Sequence, residues 1–194
     1  MKIRLFLLTL LCPLILQAQE RGAGVRLGEP FSLTYKDFFE DYWSFEVMLG
    51  SGGVNSGEYY QKAFENNPPE SNAIYVGYSA RRGISLNFRM ALHEDFTDMF
   101  EITQGYLLGY AGAGVQIRTT YVDYTYFLTP NLPGNPNLNE TRTNFDLGPE
   151  VFAGAEYYFD ELPISVFAEI GLYLELIDRI NMRGQGGIGV RYLF

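Results

Sequence analysis

Apolar residues in this chain recur at every second position, in run after run, rather than at every third or fourth. Period two marks a strand with two different faces, because successive side chains point to opposite sides. Eight such runs predict eight strands. The first, Gly22–Gly28, sets Ala23, Val25 and Leu27 on one face, and Glu29 and Pro30 turn the chain into Phe31–Phe38, with Phe31, Leu33 and Tyr35. A short turn at Glu40–Tyr42 leads to Trp43–Gly50, which shows Phe45, Val47 and Leu49. After a long polar stretch, Gly52–Arg82, the fourth run Gly83–His93 carries Ile84, Leu86, Phe88, Met90 and Leu92. The fifth, Gln104–Thr119, follows the acidic connection Glu94–Thr103. A second long stretch, Tyr121–Asn144, is rich in Asn, Pro and Thr and reads as an irregular surface loop. Asp146–Phe159, Ile164–Ile177 and Gly184–Phe194 complete the set, with a tight connection at Asp160–Pro163 and a further one at Asp178–Arg183 before the last run.

The opposite parity carries the charge. Arg26, Lys36, Glu46, Arg89, Arg118, Glu150, Glu156, Glu169, Glu175 and Arg191 all avoid the apolar face. A soluble sandwich also alternates, with its charged face in water. Three features favour a membrane barrel instead. The charged face is otherwise glycine and aromatic, as a narrow packed interior requires. Several runs exceed the roughly ten tilted residues that cross a bilayer. Trp43, Tyr157, Phe159, Tyr192 and Phe194 gather near the short-turn ends, where interfacial aromatics belong. An open edge in hydrocarbon leaves backbone amides unpaired, so the sheet is expected to close. The fold class predicted is all-β: a closed, eight-stranded, antiparallel up-and-down transmembrane β-barrel. Asp37 would face outward if the second strand continued, so that strand is expected to end near Lys36. Pro149 cannot donate to the ladder and is expected above the membrane or at a bulge.

The first residues add an address. Lys2 and Arg4, the apolar run Leu5–Leu16 and then Gln17, Ala18 and Gln19 describe a secretory signal peptide over residues 1–18, too short to span a bilayer. Leu11 is too bulky for Cys12 to mark a lipoprotein, and without Cys12 the mature chain has no cysteine for disulfides or thiolate sites. Residues 19–194 then form one barrel domain. Removing Lys2 and Arg4 leaves 12 basic residues against 23 acidic, a charge of −11, which argues against a nucleic-acid partner.

The C-terminal run Gly187–Phe194 resembles the last strand of outer-membrane barrels. Gly24–Lys36 and Phe152–Phe159, with Leu162, Pro163 and Ile164 after it, resemble a family of small outer-membrane β-barrel-domain proteins. That family is similar in architecture to the OmpX/OmpA-type transmembrane barrel. The resemblance implies location in a bacterial outer membrane. It also implies that Val190, Tyr192 and Phe194 form a terminal signal read by the barrel-assembly machinery. It brings no chemistry with it.

An eight-stranded barrel is just wide enough for side chains to fill it. Five basic and five acidic inward residues therefore predict a neutral, interlocked plug, since a lone buried charge is costly and a well-bonded pair is not. The single histidine, His93, invites an acyl-hydrolase reading, but Ser85 lies eight positions away along the strand and His93 falls at the periplasmic rim. Glu94, Asp95, Asp98 and Glu101 lack the spacing of a calcium loop and read as a solvated acidic turn. Asn139–Thr141 matches a glycosylation acceptor only formally. No cofactor or metal is expected, and outer-membrane lipid is the expected surroundings. The function predicted is a non-enzymatic structural or surface-interaction barrel. A small pore or carrier for apolar molecules is the alternative, and a lipid-modifying enzyme the third reading. Tyr59, Tyr60, Tyr124, Tyr126 and Phe127 either give the long loops contact area for an unknown partner or pack on one another.

Overall fold

A computed structural model describes residues 21–130, 136–177 and 180–194. The expected signal peptide at 1–18 lies outside the described residues. The strands are β1 (Gly22–Glu29), β2 (Phe31–Glu40), β3 (Trp43–Ser51), β4 (Ala73–Asp95), β5 (Tyr106–Leu128), β6 (Leu138–Tyr158), β7 (Ile164–Glu175) and β8 (Asn181–Leu193). One helix, α1 (Gly57–Asn66), falls between β3 and β4. Each strand pairs antiparallel with its sequence neighbour, and β1 closes on β8, Val25 opposite Val190, to complete the ring. All eight strands read from the alternation are present.

Three strands are far longer than the rest. β4 and β5 run 23 residues each and β6 runs 21, against 8 for β1 and 9 for β3. The ring ends where β3 stops opposite Ser85 and where the β6–β7 ladder stops at Glu150. Beyond it, β4, β5 and β6 continue as a three-stranded sheet. The stretches read as irregular loops are thus partly strand: Ala73–Arg82 belongs to β4, Tyr121–Leu128 to β5 and Leu138–Asn144 to β6. Period two continues through Val122, Tyr124 and Tyr126, all buried, while the polar residues between them obscure it.

Helix α1 covers the inner face of this extension. Tyr59, Tyr60 and Phe64 pack with Val122, Tyr124 and Tyr126 in one cluster. The Ser56 side chain caps the helix, accepting from the Tyr59 amide at 3.3 Å. Arg142, reaching from β6, donates to the Asn67 carbonyl at 2.7 Å just past the other end and lies over the rings of Phe64 and Tyr124. Ten residues are too few to hold a helix alone, so this packing is what keeps α1 folded. It also decides the open question about the loop tyrosines: Tyr59, Tyr60, Tyr124 and Tyr126 are buried and pack on one another.

One local expectation is corrected. β2 does not end at Lys36 but runs to Glu40, because Asp37, opposite Phe45, is compensated by an ion pair with Arg21 at 2.9 Å. A register shift between Phe38 and Glu40 then ends the ladder. Of the two places expected for Pro149, it lies not at a bulge but at the rim of the ring. It sits in regular register opposite Val115 on β5, and on its other side the paired β6–β7 register ends at the next residue, with one further bond from the Leu176 amide to the Leu147 carbonyl at 3.0 Å beyond the gap that its missing N–H leaves.

The outer wall is apolar over the ring. Leu33 is 60% exposed, Ile188 62% and Ile170 74%, with Val25, Phe45, Phe88, Met90 and Val151 alongside. Trp43, Phe159, Tyr192 and Phe194 are exposed at the end that holds the tight β2–β3 and β6–β7 turns. No helix among the described residues is long and apolar enough to cross a membrane, a fact that says nothing of strands.

Candidate functional site

The inside of the ring is the chemically dense part of the molecule. Strand alternation aims one residue in two at the axis, and here most of those positions are charged, amide, hydroxyl, glycine or aromatic. Arg26, Lys36, Glu46, Arg89, Arg118, Glu150, Glu156, Glu169, Glu175 and Arg191 are all buried.

Eight of them form one network toward the short-turn end. Arg89 is its hub: it grips Glu150 with two bonds of 3.0 Å, donates to Glu169 at 2.7 Å and lies 3.7 Å from Glu46. Arg26 meets Glu169 from the other side at 2.8 Å and donates to the Pro30 carbonyl at 2.5 Å. Arg191 joins Glu46 to Glu156, the latter at 2.7 Å, and also reaches the Thr34 hydroxyl at 2.9 Å. Lys36 meets Glu156 at 2.8 Å. Remaining carboxylate oxygens take bonds from Ser165 at 2.5 Å and Tyr110 at 3.1 Å. The network holds four cations and four carboxylates, so it is neutral, and each charge keeps the partners that burial demands.

The cations also have floors. Phe152 lies across from Gly112, Phe167 across from Gly189 and Tyr110 across from Gly154. A Cβ on those glycines would meet the facing ring at 2.7, 2.3 and 2.7 Å respectively, so only glycine lets each ring lie there. Over the rings sit Arg89 at 4.4 Å, Arg191 at 3.7 Å and Lys36 at 5.2 Å. Glycine, ring and cation thus stack in three places, and cation–π attraction adds to the ion pairs.

Above the network lies a neutral amide layer. Gln185 donates to Gln116 at 2.6 Å, Gln116 to Ser85 at 2.9 Å, Ser85 to Asn87 at 3.1 Å, and Asn87 to Glu150 at 2.9 Å. Sequence reasoning passed over this chain because it followed charge alone, although the parity that holds Glu150 is equally legible at Gln116 and Asn87.

At the mouth, Arg118 bonds Asp146 and lies 3.7 Å from Glu175. It also donates to the Gly53 carbonyl at 3.1 Å and to the Asn55 side chain at 3.0 Å, both on the segment leading to α1. Arg183 makes the same two contacts at 3.2 and 3.0 Å, and Tyr59 donates to Glu175 at 2.5 Å. Burial and this carboxylate neighbour push the Tyr59 phenol above its ordinary range, so it stays a donor. Helix α1 is therefore fastened across the mouth. Asp146 is a member the charge list lacked, although it shares parity with Glu150 and Glu156; Arg183 was hidden by its reading as a turn residue.

His93 is buried at the short-turn end, between the rings of Phe38 at 4.7 Å and Tyr110 at 5.5 Å. Its Nδ1 lies 3.4 Å from the Tyr42 carbonyl, and among the described residues no hydroxyl bonds either ring nitrogen. Ser85 is engaged by Asn87 and Gln116 instead. The void that His93 lines with Lys36, Glu46 and Arg89 measures about 10 Å³, the room of about one water. No group of three or more metal-binding side chains occurs among the described residues. Asp95 instead accepts from the Thr97 amide at 2.8 Å, ordering the acidic turn.

Register and faces together define the class: a closed eight-stranded β-barrel, apolar outside and ion-paired within. No protein-family model and no curated protein matches the chain. Among solved structures it aligns with the N-terminal β-barrel domain of Pseudomonas aeruginosa OprF at 16% identity, covering 91% of this chain and 96% of that one, with a TM-score of 0.46. Acinetobacter baumannii CarO2 aligns at 14% identity over 92% of this chain and 100% of its own, TM-score 0.43. Acinetobacter baumannii CarO aligns at 11% identity over 89% and 97%, TM-score 0.38.

Proposed function

We propose that this chain is a non-enzymatic integral protein of a bacterial outer membrane, a plugged barrel with a structural or surface-interaction role. One observation carries the reading: an apolar outer wall encircles an interior whose buried charges are paired. In water the exposed Leu33, Ile170 and Ile188 would form a continuous apolar surface far beyond what soluble monomers tolerate. In lipid the same wall is solvated, and the closed ladder leaves no edge in hydrocarbon. The β4–β6 extension with α1 then rises from the membrane as the part available to partners. Val190, Tyr192 and Phe194, all exposed on the last strand and just past its end, support its reading as the segment the assembly machinery grips.

The interior favours a plug over a pore or carrier, because its inward charges are paired and the void that His93 lines with Lys36, Glu46 and Arg89 has about the size of a single water. Among the described residues no nucleophile is bonded to His93, as an enzyme reading would need. The test is conductance of the purified, refolded protein in a planar bilayer. The expected record is flat, and sustained steps of current would overturn the plugged-barrel reading.

A further inference from the structure

Above the ring the three-stranded extension has two free edges, one on β4 and one on β6. The ladder from β6 to β7 stops at Glu150, with one further bond from the Leu176 amide to the Leu147 carbonyl. That bond fixes which backbone groups face the gap. In an antiparallel strand the N–H and C=O of one residue point to the same side, and those of the next residue to the other. Asn139, Thr141, Thr143 and Phe145 share the parity of Leu147, so theirs point to the free edge. Among the described residues nothing bonds these groups. The four side chains are exposed as well.

The two edges differ. Against β5, β4 shifts register between Tyr75 and Gly77 and again between Arg82 and Ser85. Bulges of this kind twist an edge away from further pairing. β6 keeps one register against β5 from Leu138 to Tyr158. Between Leu138 and Gly148 it also lacks proline and lysine, the residues that otherwise blunt an edge. Thr141 and Thr143 favour extended backbone. A regular row of unmet N–H and C=O groups fits an extended polypeptide, which offers the complementary row at the same spacing.

Charge selects which polypeptide. Glu140 and Arg142 flank Thr141 on the inner face, joined by two bonds of 2.9 Å, with side chains 33% and 23% exposed. When two copies of β6 are set antiparallel about Thr141, Asn139 of each faces Thr143 of the other and the two Thr141 residues face one another. Each of these pairs has its backbone groups in the gap and exchanges two bonds. In the same register Glu140 of each copy faces Arg142 of the other, a favourable cross-strand pair. The strand is complementary to itself. Copies side by side in one membrane are related by a rotation about its normal, so their β6 strands both descend and run parallel. The antiparallel mate comes from a facing membrane.

We infer that the β6 edge from Asn139 to Thr143 pairs with the same edge of a second copy of this chain in an apposed membrane. The inference deepens the surface-interaction reading and rests on it, since a membrane-embedded ring is what lifts this edge clear of lipid. One such short contact is weak, and many copies acting at once hold two surfaces together.

The test uses two populations of phosphatidylcholine vesicles with different dyes, both carrying the full protein. Resistance of the folded band to SDS at room temperature reports insertion. Labelling of exposed Lys62 on α1 by an impermeant amine reagent shows that the extension faces outward. Two-colour fluorescence correlation counts vesicles joined across the populations. The expected count for the unmodified protein is about tenfold or more above that for T141P/T143P, whose lost amides face the gap and not β5. R142E, which leaves only like charges in this register, should lose joining to the same extent. E140R/R142E should regain it, although neither charge variant can donate from position 142 to the Asn67 carbonyl. Joining that persists in folded T141P/T143P overturns the edge pairing, and so does failure of E140R/R142E to recover; the charge variants decide if the proline variant does not fold. Joining to vesicles that carry no protein overturns a second copy as the occupant and assigns the contact to lipid. Failure of the unmodified protein to insert overturns the outer-membrane reading, and this inference with it; insertion without edge-dependent joining overturns the pairing alone.

Discussion

The guanidinium of Arg191 lies 3.7 Å from the ring centroid of Phe167 while donating to Glu46 and Glu156. One side chain therefore joins a cross-strand aromatic contact to two carboxylates from different parts of the ring. Its replacement strips a partner from both carboxylates at once, leaving Glu46 with only the 3.7 Å contact to Arg89.

Arg191→Met is expected to destabilise the barrel by about 3–5 kcal/mol, the usual loss when one member of a buried pair is removed. Urea unfolding in micelles, followed by the fluorescence of the single tryptophan Trp43, measures it. Lys62→Met, which breaks the exposed pair with Glu58, is the reference and should cost about 0–1 kcal/mol. Equal losses would mean that the interior pairing contributes no more than a surface pair.

Gly189→Ala forces a methyl to within 2.3 Å of the Phe167 ring, whereas Gly184→Ala meets nothing within 4 Å on the same strand. The first should cost about 1–3 kcal/mol and the second about 0.5 kcal/mol or less. The two substitutions have the same effect on backbone freedom, so a difference in their urea midpoints reports what the methyl meets at position 189, the Phe167 ring and the Val25 carbonyl oxygen at 2.5 Å. Matching midpoints would count against the stack of glycine, ring and cation.

Tyr59→Phe removes the donor that ties α1 to Glu175. Residues 57–66 are expected to exchange amide hydrogens about tenfold faster, since a bond to a charged group is worth about 1.5–3 kcal/mol, while the ring strands keep their protection. Unchanged exchange in the helix would show that the aromatic cluster alone holds it down.

Replacing residues 57–66 by a flexible linker uncovers the mouth yet should leave the bilayer record without current. The Arg89 and Arg191 network closes the lumen independently, lower in the barrel and through bonds that α1 does not make. Appearance of conductance in this variant would assign the seal to the helix rather than to the charges.

His93→Ala should change stability and not chemistry. The imidazole is packed between Phe38 and Tyr110, so its loss opens a cavity, and neither protein is expected to release fatty acid from a phospholipid substrate. Hydrolysis by the unmodified protein that vanishes in the variant would restore the enzyme reading.

Much of this architecture was legible in the residues because period two is enforced at every position of a strand. Val25 and Arg26, or Leu33 and Thr34, declare opposite faces wherever the chain is placed, and so the ring, its two faces and its inward charges follow from alternation. The rule lapses where two opposing tendencies meet. Asp37 broke the apolar parity, and only the arrival of Arg21 makes its position tolerable. The β4–β5 pairing slips by one residue between Arg82 and Ser85, where the Thr119 hydroxyl on the adjacent strand bonds both the amide and the carbonyl of Ile84. The helix at Gly57–Asn66 left little trace, since ten polar-rich residues become helical only against Val122 and Tyr124 from a distant strand.

What the sequence determined by itself was which side chains face inward, a local property set by backbone geometry that every residue carries alone. Which of them meet was decided only by the closed ring, which brings Arg191 to Glu46 across 145 positions and Arg26 to Glu169 across 143. Four cations and four carboxylates allow many pairings of equal charge. Register, strand tilt and the space left by Gly112, Gly154 and Gly189 select one, because a buried charge is stable only where its partner's hydrogen-bonding atoms already lie within reach.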